Sequence, residues 1–501
     1  MLIRPDRTDL QVIGLYTGKI LTGVGLVMLL PAVLGLFKGE FNDVFGFVIG
    51  AGLCVALGQG ADWRLRTRAP LDWSHAMAVV ALSWLVAPLL GALPLFLSGH
   101  YGDYLDAYFD AMSGFATAGL AVINDLDHLS DSVNLWRHTM QYLGGQGLAV
   151  VALSLFTSGS GATGLYLGEG REDRILPNVV RTARFIWVVS LVYGGVGSLA
   201  LWLGLLWAGM PVGDGLLHAV QLFMAAFDTG GFAPTSASVG FYHSGVVEGV
   251  IAVLMVAGML SFALHYQLWR RRAGELTRNL ETRTLAVSIT LLFVIAAAGL
   301  VRTGTYDSTE ALVRRGFFHL LSAHSGTGFG TVPGRLFVTD WGTLAPAMLV
   351  VAMALGGMAG STTGGIKALR VGLAYKLVRR DLRAALLPAD AVVEETYHSA
   401  GTRHFLRDAP VGAAVLILLL YLALYLAGAF LGLFYDLSLE EALFESTSAA
   451  AAVGLSVGVV SPDMPAPLQL MYAFQMWIGR LEFVSVFALF GYGYSMLRGR
   501  L

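Results

Sequence analysis

The sequence predicts an all-α polytopic membrane protein with about ten transmembrane helices: four pseudo-repeats of helix, re-entrant loop and helix around a central axis, preceded by two N-terminal helices. Three observations predict it. Of 501 residues, 56% are hydrophobic and 13% charged, where soluble chains carry about 25% charged residues. Apolar stretches of the roughly 20 residues a bilayer crossing needs recur along the whole chain. Four glycines also recur in one local context, each between a pair of such stretches.

The candidate spans lie near 12–37, 42–60, 74–97, 136–156, 184–208, 245–268, 284–301, 342–369, 410–434 and 468–497. The stretch before the first is too short for a cleavable leader and the apolar run after it too long, so it reads as a retained helix. The first two spans form an N-terminal segment, 1–70. Four repeats then occupy 71–160, 161–275, 276–395 and 396–501, the third carrying a broken helix. The single cysteine, Cys54, lies in an apolar run and reads as a packed thiol.

Orientation follows from the Lys/Arg asymmetry of the connections. "WRLRTR" (63–68), "REDR" (171–174), "RRR" (270–272) and "KLVRRDLR" (376–383) crowd alternate connections, whereas 210–244 and 433–478 hold no Lys or Arg. The basic set is expected on the cytoplasmic side together with both termini, in a bacterial plasma (inner) membrane. One connection on the opposite side dissents, with Arg302, Arg314, Arg315 and Arg335.

Aligned on their glycines, the four connections on that side read "DAYFDAMSGFATAGL" (106–120), "HAVQLFMAAFDTGGF" (218–232), "RGFFHLLSAHSGTGF" (315–329) and "EALFESTSAAAAVGL" (441–455). Twelve residues before the glycine stands Ala107, Ala219, Gly316 or Ala442. Six before it stands Ser113, Ala225, Ser322 or Ser448. This is an internal repeat, read before any single motif. A helix of about twelve residues rises roughly 18 Å, half a bilayer, so it can enter but not cross. The returning segment leaves carbonyls without partners, which a membrane tolerates only against protein or a water-filled cavity.

Four such segments around one axis present rings of carbonyl oxygens, the chemistry that replaces the hydration shell of a permeating cation. The candidate cation filter is therefore Thr117, Ala118, Gly119 and Leu120; Thr229, Gly230, Gly231 and Phe232; Gly326, Thr327, Gly328 and Phe329; and Ala452, Val453, Gly454 and Leu455, with the cation at their carbonyls. Glycine suits backbone angles that other residues resist, and half-helix C-termini pointing inward favour cations. Asp103, Asp106, Asp110, Asp214, Asp228, Glu440, Glu441 and Glu445 are candidates to concentrate cations. For Asp106 and Glu441, at half-helix starts, N-capping is the favoured reading.

"GGMAGSTTGGIKALR" (356–370) interrupts the eighth span with more glycine and hydroxyl than a regular helix holds. Gly356, Gly357, Gly360, Ser361, Thr362, Thr363, Gly364, Gly365 and Lys367 are the candidate gate, with Arg480 of the last span as an electrostatic barrier in the lumen. Lys367 either reaches the lumen or marks the cytoplasmic end. Intramembrane charges usually face a cavity or each other, but Arg480 and Glu482 do not share a helix face. Arg137 is expected to anchor at the membrane interface. His138, His218, His265, His319 and His324 have no metal-ligand spacing and read as packed or interfacial.

These residues, with "LWRHTMQYLGGQGLAV" and "GRLEFVSVFALF", resemble the TrkH/Ktr/HKT superfamily of cation transporters, the TrkH branch most closely, over essentially the whole chain. The resemblance implies potassium uptake through a pseudo-fourfold pore, the filter glycines at Gly119, Gly231, Gly328 and Gly454, the gate loop at Gly356–Lys367 and the lumen arginine at Arg480. It implies a homodimer and a cytoplasmic ring of nucleotide-binding regulatory subunits of TrkA type, with segments 270–283 and 367–383 as docking candidates. No covalently bound cofactor is expected, and a nucleotide only through that partner. The first loop is poorer in threonine than the family's usual run, the fourth lacks the familiar asparagines, and the gate loop has "STTGG" for "STGGG".

The alternatives are a sodium- or proton-coupled symporter and a less selective potassium/sodium channel. A carrier places ionisable groups in paired inverted repeats, whereas these four repeats share one orientation. An enzyme lacks a nucleophile–base or paired-carboxylate constellation here, and a net charge of −2 offers nothing to nucleic acid.

Overall fold

A computed structural model describes residues 6–123, 125–148, 161–169, 178–388 and 393–497. The chain is helical throughout, and the one sheet among the described residues is a hairpin pairing Thr396–Ser399 with Thr402–Phe405. Six helices are long and apolar enough to cross a membrane: Arg7–Lys38, Phe41–Arg64, Trp73–Leu97, Val179–Trp207, Leu280–Thr303 and Asp408–Phe434. Two bent pairs, Gly245–Met259 with Phe262–Trp269 and Ala466–Leu481 with Val484–Met496, raise the number to eight. The fourth and eighth expected spans supply shorter helices, Asp131–Gln146 and Leu344–Ala354, the latter followed by Ala368–Ala385. Most of expected span 136–156 beyond Leu148 lies outside the described residues.

The N-terminal pair packs through small residues, which lets two helix backbones approach. A Cβ on Gly18 would stand 2.7 Å from that of Ala61, and one on Gly25 would stand 2.8 Å from that of Cys54. Cys54 is a buried free thiol. The turn after this first helix grips the start of Asp131–Gln146. Lys38 pairs with Asp131 at 2.7 Å, and the Glu40 carboxylate accepts the Asp131 and Ser132 N–H groups at 2.9 and 3.0 Å. Those are donors a helix start leaves free.

Two expected continuous spans, the sixth and the tenth, are broken. The sixth bends by 104° at Leu260–Ser261 and the tenth by 112° at Glu482–Phe483. At the first break Ser261 caps a new helix, its hydroxyl taking the Leu264 N–H at 3.2 Å, and Phe262 N–H reaches the Gly360 carbonyl. At the second, Glu482 and Phe483 take left-handed φ of 53° and 73°. Asp131–Gln146 ends at Gly147 with φ 91°, and Leu344–Ala354 gives way to a non-helical stretch up to Lys367. Every helix that follows a half-helix is thus interrupted.

Three of the four dissenting arginines have partners in the fold. Arg314 forks onto Glu248 with two bonds of 2.6 Å, Arg335 meets Glu441 at 2.5 Å, and Arg315 lies over the Tyr306 ring. On the opposite side of the molecule, Glu395 draws Lys376, Arg383 and Arg379 to 2.5, 3.2 and 3.8 Å, and His398 of the hairpin meets Glu275 at 3.1 Å.

Candidate functional site

The four half-helices are Tyr104–Phe115, Val212–Phe227, Thr309–His324 and Leu439–Ala450, the third with a π-helical stretch at Leu312–Phe317. Asp103, Ser308 and Ser438 cap three of them by accepting a backbone N–H three residues on. Glu441 completes a capping box with Ser438, as expected. Asp106 does not cap; Asp103 holds that place, and Asp106 instead accepts the Gln469 amide at 2.8 Å.

All four half-helices end in one way. The N–H groups of Ala118, Gly230, Thr327 and Val453 return to the carbonyls of Ser113, Ala225, Ser322 and Ser448 at 2.8, 2.8, 3.0 and 2.9 Å. The residue before each takes a left-handed turn: Thr117, Thr229, Gly326 and Ala452, with φ of 53°, 51°, 68° and 53°. This six-to-one bond around a left-handed residue is the Schellman helix stop. Gly326 is the unstrained occupant of that place. A β-branched residue there is a marked outlier, and the two threonines are held from below. The Thr117 hydroxyl accepts from Arg480 Nη1 at 3.2 Å, and that of Thr229 meets the Thr362 hydroxyl at 3.2 Å.

Two residues on, Gly119, Gly231, Gly328 and Gly454 turn left-handed again, with φ of 74°, 74°, 84° and 99°. A Cβ on each would strike the carbonyl oxygen of the next loop. Gly119 would meet that of Gly230 at 2.5 Å, Gly231 that of Thr327 at 1.8 Å, Gly328 that of Val453 at 2.0 Å and Gly454 that of Ala118 at 2.7 Å. First meets second, second third, third fourth, and fourth first. The four loops close a ring in which only glycine fits.

On one side of the ring opens a vestibule of about 480 Å³ whose lining includes all four glycines. None of the acids expected to concentrate cations lines it. Asp103 and Glu441 serve helix starts, Asp214 lies 3.7 Å from Lys38, Asp228 accepts the Gln146 amide at 2.7 Å, and Asp110 and Glu445 are buried behind the loops. Backbone N–H groups and side-chain donors claim these carboxylates. Arg137, which does line the vestibule, is not an interfacial anchor but fully buried. Its Nε stands 3.6 Å from Asp110, its Nη1 donates to Asn134 at 3.3 Å, and its guanidinium lies 4.1 Å from the Phe232 ring centre.

Below the ring the chain closes up to a chamber of about 10 Å³. Arg480 sits between, donating to the Thr362 carbonyl, to the Gly144 carbonyl at 2.6 Å and to Thr117. The stretch after Leu344–Ala354 folds into an ordered loop. At its neck Gly356 N–H reaches Ile366 at 2.8 Å and Ile366 N–H reaches Ala354 at 3.0 Å, so Gly356, Gly357 and Gly365 lie at its base. Its tip is pinned by the Thr362 hydroxyl on the carbonyls of Phe227 and Gly258 at 3.1 and 2.9 Å. The Glu281 carboxylate takes the Ala359 N–H at 2.6 Å. Lys367 is buried, donating to the Thr363 carbonyl, and does not mark an exposed end. Glu482 pairs with Arg370 and lies 4.0 Å from Lys367.

The structure thus brings the four loops together at their glycines, with Arg480, Thr362 and Thr363 beneath them. Glu281, Gln141 and Arg370 complete the site without having been singled out from the sequence. Gln141 clamps the second loop, its amide donating to Gly230 O at 2.5 Å and accepting Phe232 N–H at 3.2 Å. Its signal in the sequence is its place on the same helical face as Asn134 and His138, four and three residues apart in "NLWRHTMQ".

A multi-pass helical membrane protein with four like-built quarters closed on a glycine ring is the class these features define. A family model described as TrkH, cation transport protein, matches residues 44–492, and the chain belongs to that family of Trk-type potassium uptake transporters. It is 28% identical to an uncharacterised cation transporter of Methanocaldococcus jannaschii, covering 98% of this chain and 97% of the relative. It is 27% identical to the Trk system potassium uptake protein TrkH of Halomonas elongata, covering 96% and 98%. The crystal structure of the potassium transporter TrkH from Vibrio parahaemolyticus superposes with a TM-score of 0.82 over 96% of this chain and 98% of that one, at 23% identity, which speaks for the fold.

Proposed function

We propose that this chain is a channel-like potassium uptake protein, its filter formed by the sixteen loop residues with potassium at their carbonyls. The observation that carries the reading is the closed ring of four left-handed glycines. Backbone carbonyls at fixed spacing replace an ion's hydration shell, and four half-helix C-termini aimed at one point favour a cation. The vestibule faces the cell exterior, and both termini face the cytoplasm of a bacterial plasma membrane. Arg480 and the 356–367 loop are the gate, one a positive charge under the ring and the other a non-helical flap whose tip is held by hydrogen bonds to neighbouring elements.

The chain works as a homodimer with one ring per subunit, each of the four quarters 71–160, 161–275, 276–395 and 396–501 supplying one loop. Cytoplasmic nucleotide-binding subunits of TrkA type act on it through the basic segments 270–283 and 367–383. Three observations support these assignments: the shared orientation of the quarters, the basic side chains gathered opposite the vestibule, and the naming of several relatives as Trk system proteins.

Flux through proteoliposomes tests the reading. Potassium and rubidium are expected to move down an imposed gradient, sodium far less, and without a sodium or proton gradient in the same direction. A strict requirement for such a gradient would replace the channel by a symporter. Gly328→Ser sets a side chain against the Val453 carbonyl and is expected to lower the potassium-over-sodium permeability ratio by tenfold or more, on the order of 1.4 kcal/mol. An unchanged ratio would remove that loop from the filter.

A further inference from the structure

Nine residues before the ring glycine stand Asp110, Leu222, His319 and Glu445; three residues after it stand Val122, Pro234, Thr331 and Val457. These positions meet across the half-helix and its returning strand. Asp110 Oδ1 accepts the Val122 N–H at 2.8 Å, His319 Nε2 the Thr331 N–H at 3.1 Å, and Glu445 Oε1 the Val457 N–H at 2.8 Å. All three acceptors are buried. The second quarter has neither partner: proline has no N–H to donate, and leucine stands where an acceptor would have nothing to accept.

The other ends of the three side chains fix their aim. Tyr101 donates to Asp110 Oδ2 at 3.0 Å. His319 Nδ1 donates to the Arg315 carbonyl at 2.7 Å, which leaves Nε2 as the acceptor. The Ser456 hydroxyl and Val459 N–H add to Glu445 Oε1 at 2.6 and 3.4 Å. The second loop is held from outside instead. Asn134 donates to the Pro234 carbonyl at 2.9 Å, a ring nitrogen of His138 lies 3.1 Å from the Phe232 carbonyl, and Gln141 grips Gly230 and Phe232. Asn134, His138 and Gln141 share one face of Asp131–Gln146.

We infer that Asp110, His319 and Glu445 are positioning residues for the filter, each holding the strand beyond its ring glycine in register, and that the Leu222–Pro234 pair is the equivalent solution without a hydrogen bond. The chemistry is one of accounting. A buried N–H must find an acceptor or be absent, and each quarter satisfies that condition in one of two ways. The inference rests on the filter reading of the same loops.

The test is the potassium-over-sodium permeability ratio of reconstituted protein. Glu445→Leu leaves the Val457 and Val459 N–H groups and the Ser456 hydroxyl without their acceptor, and the ratio is expected to fall about tenfold. Glu445→Gln keeps an acceptor oxygen at the same reach and is expected to hold the ratio within about twofold of the parent chain. Adding Val457→Pro to Glu445→Leu installs the second quarter's combination and is expected to recover part of the loss. Should Glu445→Leu fail to insert, His319→Leu with and without Thr331→Pro reads the same contrast, with one donor at stake. An unaltered ratio in Glu445→Leu or His319→Leu, alongside a lowered one in Gly328→Ser, overturns the positioning role while the filter stands. A fall in Glu445→Gln as deep as in Glu445→Leu would assign the effect to charge and also overturn it. Unaltered ratios in all of them, Gly328→Ser included, would instead take down the filter reading itself.

Discussion

The two sides of the glycine ring are built on different principles. Towards the vestibule, the ring opens into about 480 Å³ whose lining carries no carboxylate among the described residues. There the chain offers backbone, held in place by buried side chains behind it. On the other side the space falls to about 10 Å³ and is lined by charged and hydroxyl side chains, among them Arg480, Lys367, Glu482, Ser361 and Thr363. The difference separates two tasks. Backbone braced from behind discriminates by geometry and changes little with side-chain identity, whereas a side-chain plug can be moved and can therefore regulate.

That contrast is most easily broken at Gly231. A Cβ there would lie 1.8 Å from the Thr327 oxygen, at a φ of 74° that side chains resist. Gly231→Ala is expected to abolish selective potassium flux, because neighbouring loops cannot both keep their places. Potassium and sodium uptake into proteoliposomes would read it, and a selective Gly231→Ala protein would show the ring to be looser than its packing. Next in size comes Arg480→Ala. Removing a positive charge a few ångströms below the ring is expected to raise potassium flux about tenfold, an effect of Coulomb size for a partly screened site, while selectivity stays with the backbone. Equal change in flux and selectivity would merge the two sides into one device.

The smallest effect concerns the region furthest from the ring. The hydrogen bond from Lys376, together with Arg379 and Arg383, holds the Glu395 carboxyl below its ordinary range. Its folded-state pKa is depressed, so this cluster contributes stability above the ordinary glutamate range and loses it as pH falls through the lower folded value. Hydrogen-exchange protection across the Thr396–Phe405 hairpin, corrected for the intrinsic pH dependence of amide exchange, is expected to fall on acidification in the parent chain and to stay level in Glu395→Gln. Ion selectivity should be untouched in both.

Much of this was legible in the sequence because helix stops are written locally. The small residue six before each glycine opens a Schellman turn that closes on the residue just before that glycine, so four copies align without knowledge of the fold. The non-helical 356–367 loop announced itself by composition. Other features depend on partners far along the chain. The break at Leu260–Ser261 lies in an apolar run and is completed by Gly360, about a hundred residues on. Arg137 looks interfacial until Asp110, on another helix, is seen beside it. The acids around the loops read as a cation-attracting rim because sequence does not say which N–H groups they accept. Nor does sequence show that Gly326, with its φ of 68°, is the unstrained occupant of its place and that Thr117 and Thr229 are the residues needing explanation.

The ring closes within a single polypeptide, and this has a consequence for how such a protein can vary. In an assembly of four identical subunits, any change in a filter loop is suffered four times over, and the quarters can never differ. Here each quarter is altered alone. One can carry threonine at its turn and another glycine; one can trade a carboxylate for a proline. The first quarter can reach down to Arg480 while the third cannot. Fourfold geometry is kept at the glycines and at the helix stops before them, and is relaxed in the side chains around them. What duplication made equal, covalent linkage has left free to specialise.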